Sequence, residues 1–313
     1  MNFSLTQLEY ALAVHKFGHF SQAARACAVT QPTLSMQLQK LEEELGAVLF
    51  DRSKKPVLLT EKGARLIEQM RSVLHEAKKI EALLDDLEGS EICGELTVGV
   101  IPTVAPYLLP RLLPTVQRLY PGISLKVLEL QTHRILEALN TDEIDLGILA
   151  IPLGIARIHE VSLYWEPFSV LCRKEDEMAR QKKIRHSTLR ANDVWLLEEG
   201  HCLRSQVLDV CAVRKKSGKP RPYEFESGSL ETLKSLVSSF GGYTLVPELA
   251  SDHLANNVAL IPFERPVPAR EIGFVFRREH FKVSLQNALR DAVKQSVPEE
   301  LRRIRKGDVD IIP

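Results

Sequence analysis

The chain has 313 residues, 44% of them hydrophobic, enough material for two or three folding units. Lys plus Arg and Asp plus Glu number 41 each, which excludes a protein drawn to nucleic acid or an anionic membrane by overall charge, so any such attraction is local. The start MNFSLTQLEY lacks the pattern of a signal peptide, and there is no apolar run long enough to span a bilayer. The five scattered cysteines do not form a secreted disulfide framework, so a cytoplasmic, reducing setting is expected.

Residues 1–60 read as short amphipathic helices. Ser4 with Gln7, or Thr6 with Glu9, has the spacing of a capping box, and Leu8, Ala11, Leu12 and Val14 follow as an apolar stripe. A second helix fits Ser21 to Ala26. After a turn at Ala28 to Thr30, Pro32 opens a third helix, where its missing N–H has no helical partner to lose. Leu34, Leu38, Leu41 and Leu45 share one face of that helix, so Thr33, Ser35, Met36, Gln37 and Lys40 point elsewhere. Gly46 ends it, and LFDRSKKPVLLT has the pattern of a wing hairpin.

From Thr60 to about Leu87 a proline-free stretch carries a seam of Ile67, Met70, Leu74, Ala77, Ile80, Leu84 and Leu87. It is expected to be a dimerising linker helix; the other reading is an amphipathic helix lying on its own unit. After Gly94, the runs LTVGVI, ISLKVLEL, IDLGILA, FSVLC and VWLLE read as strands. Helical stretches at Thr103 to Leu119 and Thr132 to Leu139 lie between them. This defines an α/β class with a mainly parallel sheet. Prolines 106, 110 and 114 argue against a smooth helix there, and RKKSGKPRP at 214–222 reads as a basic, flexible loop.

The stretch HFSQAARACAVTQPTLSMQLQKLEEELGAVLFDR, followed by LTEKG, resembles the winged helix-turn-helix of the LysR family of transcription regulators, and the resemblance covers the whole chain. It implies a DNA-binding domain at 1–60, a linker helix at 61–90 and an effector domain at 91–313. That domain would have two Rossmann-like lobes, similar in fold to periplasmic solute-binding proteins: lobe I at about 91–164 and 269–300, lobe II at about 165–268. IPTVAPYLLP, LQTHRILEAL, EEGHCLRSQVLDVC and GGYTLVPELA are similar to the hydrogen-peroxide-sensing members of the family, transcription activators of the oxidative stress response. The partners this implies are double-stranded operator DNA, hydrogen peroxide, further copies of the chain in a dimer or tetramer, and RNA polymerase. No cofactor is implied.

Gln31, Thr33 and Ser35 match the family's DNA-contact positions. Gln31 and Thr33 are expected to read base edges, with Ser35, Arg52 and Lys54 on phosphates; the other reading of Gln31 and Thr33 is helix capping. Residues 1–60 hold six basic and five acidic side chains, so binding is expected to need two or more copies along a site.

Cys202 and Cys211 match the peroxidatic and resolving cysteines of the peroxide sensors. A thiol attacks peroxide as thiolate, and His201, Arg204 and the start of a helix neighbour Cys202. The resemblance adds Thr103, Thr132 and Arg277, with His201, as the peroxide pocket. If the segment is helical, nine residues separate the two Cα atoms by about 13 Å, whereas a disulfide needs about 4.4–6.8 Å, so oxidation must remodel the segment. The other reading is two buried thiols that never meet. A metal site built from His201, Cys202 and Cys211 is disfavoured because these residues have neither CxxC nor HxxxH spacing. Cys27, Cys93 and Cys172 are read as structural. Two rival functions stand: a regulator binding a small organic effector between its lobes through Thr103 and Thr132, and a thiol peroxidase.

Overall fold

The structure, a computed structural model, describes residues 3–87, 92–189, 193–211, 227–252, 254–277 and 282–312. The basic loop at 214–222 lies outside them. The chain divides into two compact units, residues 1–90 and 91–313.

In the first unit, α1 (Leu5–Phe17), α2 (Phe20–Ala26) and α3 (Gln31–Leu45) precede a two-stranded antiparallel hairpin, β1 (Phe50–Asp51) with β2 (Leu58–Leu59), and then α4 (Glu61–Leu87). The box at the start of α1 is the Ser4 one: Gln7 N–H donates to Ser4 Oγ at 3.2 Å, and Ser4 N–H to Gln7 Oε1 at 2.8 Å. Gly18 closes α1 in the left-handed region at φ 64, and a Cβ there would come 2.9 Å from the Pro56 Cβ, so the hairpin seats against a position that only glycine fills without strain. Leu8, Ala11 and Val14 pack with Leu34, Leu38 and Leu41 and with Leu49 and Phe50. Ile67, Met70 and Leu74 of α4 belong to the same core. This upper part of the expected pairing seam is thus consumed within its own unit, while the side chains of Ile80, Leu84 and Leu87 lie outside the described residues.

The second unit runs β3 (Gly94–Val100), α5 (Ala105–Leu119), β4 (Ile123–Glu129), α6 (Thr132–Asn140), β5 (Leu146–Ile151), β6 (His159–Arg173), α7 (Cys202–Val210) and α8 (Leu230–Phe240). It continues with β7 (Tyr243–Pro247), β8 (Val258–Pro262), β9 (Val267–Phe276), α9 (Val283–Ser296), α10 (Glu299–Arg303) and β10 (Val309–Ile311). The described strands form one sheet of order β4-β3-β5-β9-β6-β7, with β8 on β6 and β10 on β9. The α/β class holds, but the sheet is mixed rather than mainly parallel. β3 is parallel to β4 and β5, whereas β9 is antiparallel to β5 and β6, and β6 to β7 and β8. The reason lies in the two long strands. The first part of β6 pairs with β9, its second part with β7 and β8. To pass from one half of the unit to the other, β6 and β9 run against each other, β9 against β5, and β6 against β7 and β8, while β10 lies parallel to β9.

Two apolar cores flank this crossover. One holds Leu96, Leu108, Ile135, Ile148, Phe274 and Leu289; the other holds Phe168, Trp195, Leu203, Leu233, Leu245 and Phe263. Two expectations about local structure need correction. VWLLE is extended but forms no strand beyond a bridge from Val194 to Tyr243. The proline-rich stretch is one continuous helix, because Pro106, Pro110 and Pro114 all fall on its exposed side, where water can satisfy the carbonyls that lose a helical donor. No helix among the described residues is long and apolar enough to cross a membrane.

Candidate thiol site and nucleic-acid interface

Cys202 is the first residue of α7, and Thr132 is the first residue of α6. The Thr132 hydroxyl and the amides of Cys202 and Leu203 face the sulfur and favour its thiolate form. Burial nevertheless pushes the Cys202 thiol up, while the Arg270 charge, the Thr132 hydroxyl and the two amides pull it back. The groups that stabilise a thiolate are therefore in place around the sulfur of a half-buried residue.

The positive charge comes from Arg270, a fully buried guanidinium on β9. Its Nε and Nη2 each lie 2.8 Å from Glu166 Oε2, its Nη1 donates to Thr103 Oγ1 at 2.9 Å, and its Nη2 donates to the Thr103 carbonyl at 3.0 Å. Glu166, also fully buried, accepts the Leu249 amide on Oε1 at 2.8 Å. Because the Thr103 hydroxyl oxygen already accepts from Arg270, its proton remains available to donate.

Sequence reasoning placed Arg277 here, and the structure corrects this. Arg277 lies just past the end of β9, where its Nη1 donates to the Asn140 carbonyl at 2.9 Å. The two arginines are seven residues apart, an odd step that reverses the face of a strand and spans about 23 Å. Arg204 is also directed away from the sulfur, since its Nη1 donates to the Leu197 carbonyl at 2.6 Å. A signal for the correct pair was available: Arg270 and Glu166 each interrupt an apolar strand, and a charge in such a run needs an opposite partner.

His201 is buried beside Cys202 but faces a neighbouring cavity. Its Nε2 lies 3.0 Å from Gln131 Nε2 and 3.5 Å from Glu198 Oε1. Gly228 closes over it: a Cβ there would come within 2.9 Å of His201 Nε2 and 3.0 Å of Glu198 Oε1. The cavity, of about 430 Å³, is walled by Pro102, Tyr107, Gln131, His201, Gly228 and Glu231 among others, and not by Thr103, Thr132 or Cys202. Tyr107 donates to Glu231 at 2.6 Å, and the ammonium of Lys234 donates to the same carboxylate oxygen at 2.8 Å.

Cys211 caps the far end of α7. It is buried in the second core, where it takes a hydrogen bond from the Tyr243 hydroxyl, and burial pushes its thiol up to about 11. The helix between the two sulfurs is intact, so nine residues at about 1.5 Å each hold them far outside disulfide reach.

On α3, Thr30 is the cap: Thr33 N–H donates to Thr30 Oγ1 at 3.4 Å, and the two hydroxyls are 2.8 Å apart. Gln31 is exposed at the helix start, Thr33 and Ser35 are half-buried, and Lys54 is exposed in the hairpin. Arg52 is held structurally: its Nη2 donates to Glu42 Oε2 at 2.8 Å, and its guanidinium lies over the Phe20 ring. Glu42, which sequence reasoning missed, also accepts the amides of Leu49 and Phe50.

Residues 5–64 match the bacterial regulatory helix-turn-helix protein, lysR family, and residues 89–298 match the LysR substrate binding domain. The chain belongs to the LysR family of DNA-binding transcription regulators, which are not enzymes. It is 35% identical over 306 residues to the hydrogen peroxide-inducible genes activator of Haemophilus influenzae, covering 97% of this chain and 99% of that protein. It is 34% identical over 308 residues to the DNA-binding transcriptional dual regulator OxyR of Escherichia coli, covering 98% and 100%. Among solved structures it is similar to a full-length OxyR variant from Pseudomonas aeruginosa, with a TM-score of 0.78 and 34% identity over 94% of this chain and 98% of that one. A hydrogen-peroxide-bound OxyR mutant from Corynebacterium glutamicum gives 0.61 and 30% over 95% and 93%.

Proposed function

We propose that this chain is a DNA-binding activator of the oxidative stress response that senses hydrogen peroxide through Cys202 and Cys211. The Cys202 thiolate attacks one peroxide oxygen, the O–O bond breaks, and sulfenic acid and hydroxide form, the hydroxide taking up the proton released from the thiol. The Cys211 sulfur then attacks the sulfenic sulfur and water leaves, closing the disulfide. The observation that carries this reading is the set of donors on one sulfur: Thr132, two amides at the start of α7, and the Arg270 charge. The relatives, hydrogen peroxide-inducible genes activators among them, point the same way.

Thr103 and Thr132 donate to peroxide and sulfur, and Arg270 takes the part first given to Arg277. Gln31 and Thr33 read base edges, with Ser35 and Lys54 on phosphates. The regulator works in the cytoplasm as a dimer or tetramer, through lobes at about 91–164 with 269–300 and at about 165–268. Oxidation repositions the DNA-binding heads before RNA polymerase. One equivalent of peroxide should link Cys202 to Cys211 with loss of two hydrogens by mass spectrometry, and the DNA footprint of the oxidised protein should differ from that of the reduced one. Free thiols at both positions after treatment refute the proposal. The cavity beside His201 supports a second reading, an organic effector, which calorimetry on a Cys202→Ser variant tests independently of the thiol.

A further inference from the structure

β10 lies parallel to the start of β9, with Val309 opposite Val267 and Ile311 opposite Ala269. The Ile312 amide donates to the Ala269 carbonyl at 2.8 Å, one residue before Arg270. The Ile312 carbonyl in turn accepts from Gln206 Nε2 at 3.0 Å. Gln206 sits midway along α7, four residues after Cys202 and five before Cys211. Its side chain is fully buried, its Oε1 has no partner, and Ile312 packs against the core that also holds Cys211.

We propose that Gln206 is a positioning residue for the thiol switch: through the Ile312 carbonyl it clasps α7 to β9 and so sets how readily Cys211 reaches the oxidised Cys202. This rests on the disulfide reading above. The backbone joining the two sulfurs is α7 itself, so closing the gap undoes the turns around Gln206, and a bond of 3.0 Å is lost once its atoms part by about half an ångström more. The clasp is moderate in strength. One good hydrogen bond favours the reduced arrangement, while the orphaned Oε1 beside it works against that arrangement. The element is thus held without being locked, as a two-state device requires.

The clasp acts on one chemical step. Attack of the Cys202 thiolate on peroxide, which yields sulfenic acid and hydroxide, leaves α7 in place. Attack of the Cys211 sulfur on that sulfenic acid, with water leaving, requires α7 to open. Gln206→Leu removes the donor and the orphaned oxygen at similar volume, and Ile312→Asp weakens the anchor from outside α7.

In the full chain, sulfenic acid formation, trapped with dimedone on a Cys211→Ser background, should be unchanged by either substitution. Disulfide closure, followed by quenched alkylation and mass spectrometry, should be about two- to tenfold faster in both. Amide exchange at residues 309–312 should be slow in the reduced wild type and fast after oxidation, a comparison that needs no variant. Closure at the wild-type rate in both variants, or equal protection of 309–312 before and after oxidation, overturns the clasp. A wild-type chain that forms no disulfide overturns the thiol switch itself, so the two failures are distinguishable.

Discussion

Replacing Arg270 by Met removes the buried cation of the thiol site, and the consequences divide into stability and reactivity. In the native protein the guanidinium lies 2.8 Å from Glu166 Oε2 through two nitrogens and bonds Thr103 through two more contacts, all shielded from solvent. Without it, Glu166 keeps only the Leu249 amide, and a buried carboxylate stripped of its cation costs about 3–5 kcal/mol. That is a large share of the roughly 5–15 kcal/mol that holds a domain folded. Changing Glu166 to Gln in the same chain removes the orphaned charge and leaves an oxygen for the Leu249 amide. Most of the loss should return, giving a coupling energy of up to about 3 kcal/mol in a cycle of the two single variants and the double variant.

The neutral double variant, stable enough to assay, then isolates reactivity. It lacks the charge that draws the Cys202 proton away, so the thiol rises further and sulfenylation near neutral pH should slow by roughly tenfold for each pKa unit gained. Urea unfolding of the four proteins and dimedone-trapped sulfenic acid rates are the measurements. Strictly additive stability losses, or a double variant that reacts at the wild-type rate, refute the reasoning.

Because burial holds the Cys202 thiol up, its rate with peroxide should climb close to tenfold per pH unit between about pH 6 and 8, and Thr132→Val should slow it further. A rate already flat by about pH 7 contradicts this. Cys211 and Cys172 both keep their protons up to about 11 in the fold, against an ordinary value of 9.0, with burial as the main cause. The stability they contribute is present below pH 9 and lost as pH rises from about 9 through 11. The urea midpoint should therefore fall across that window, less steeply in Cys211→Ser, and a flat midpoint is the contrary result. Thr33→Ala should lose about 1–3 kcal/mol at its preferred operator in a gel-shift titration, whereas unchanged affinity removes Thr33 from the reading set.

Much of the DNA-binding unit was legible in sequence because its signals are local. The Ser4 box, the leucine face of α3 and the hairpin each depend on neighbours within a few residues. The role of α4 was less so, since an apolar stripe reports that a face is covered without naming the cover. Ile67, Met70 and Leu74 turned out to be covered by their own unit. The parallel-sheet expectation failed for a similar reason: apolar runs mark buried strands whatever their direction, and the antiparallel passage of β6 and β9 leaves no mark in composition.

At the thiol site, sequence alone determined the two cysteines, their nine-residue separation and the helix between them, because a motif and a helical rise are one-dimensional facts. Only the tertiary structure decided which arginine serves the sulfur, that Glu166 holds it from 104 residues away, and that His201 faces a cavity instead. Arg270 and Arg277 lie on or just past one strand in opposite phase, so one faces inward and the other does not. Which one is set by pairing with distant strands.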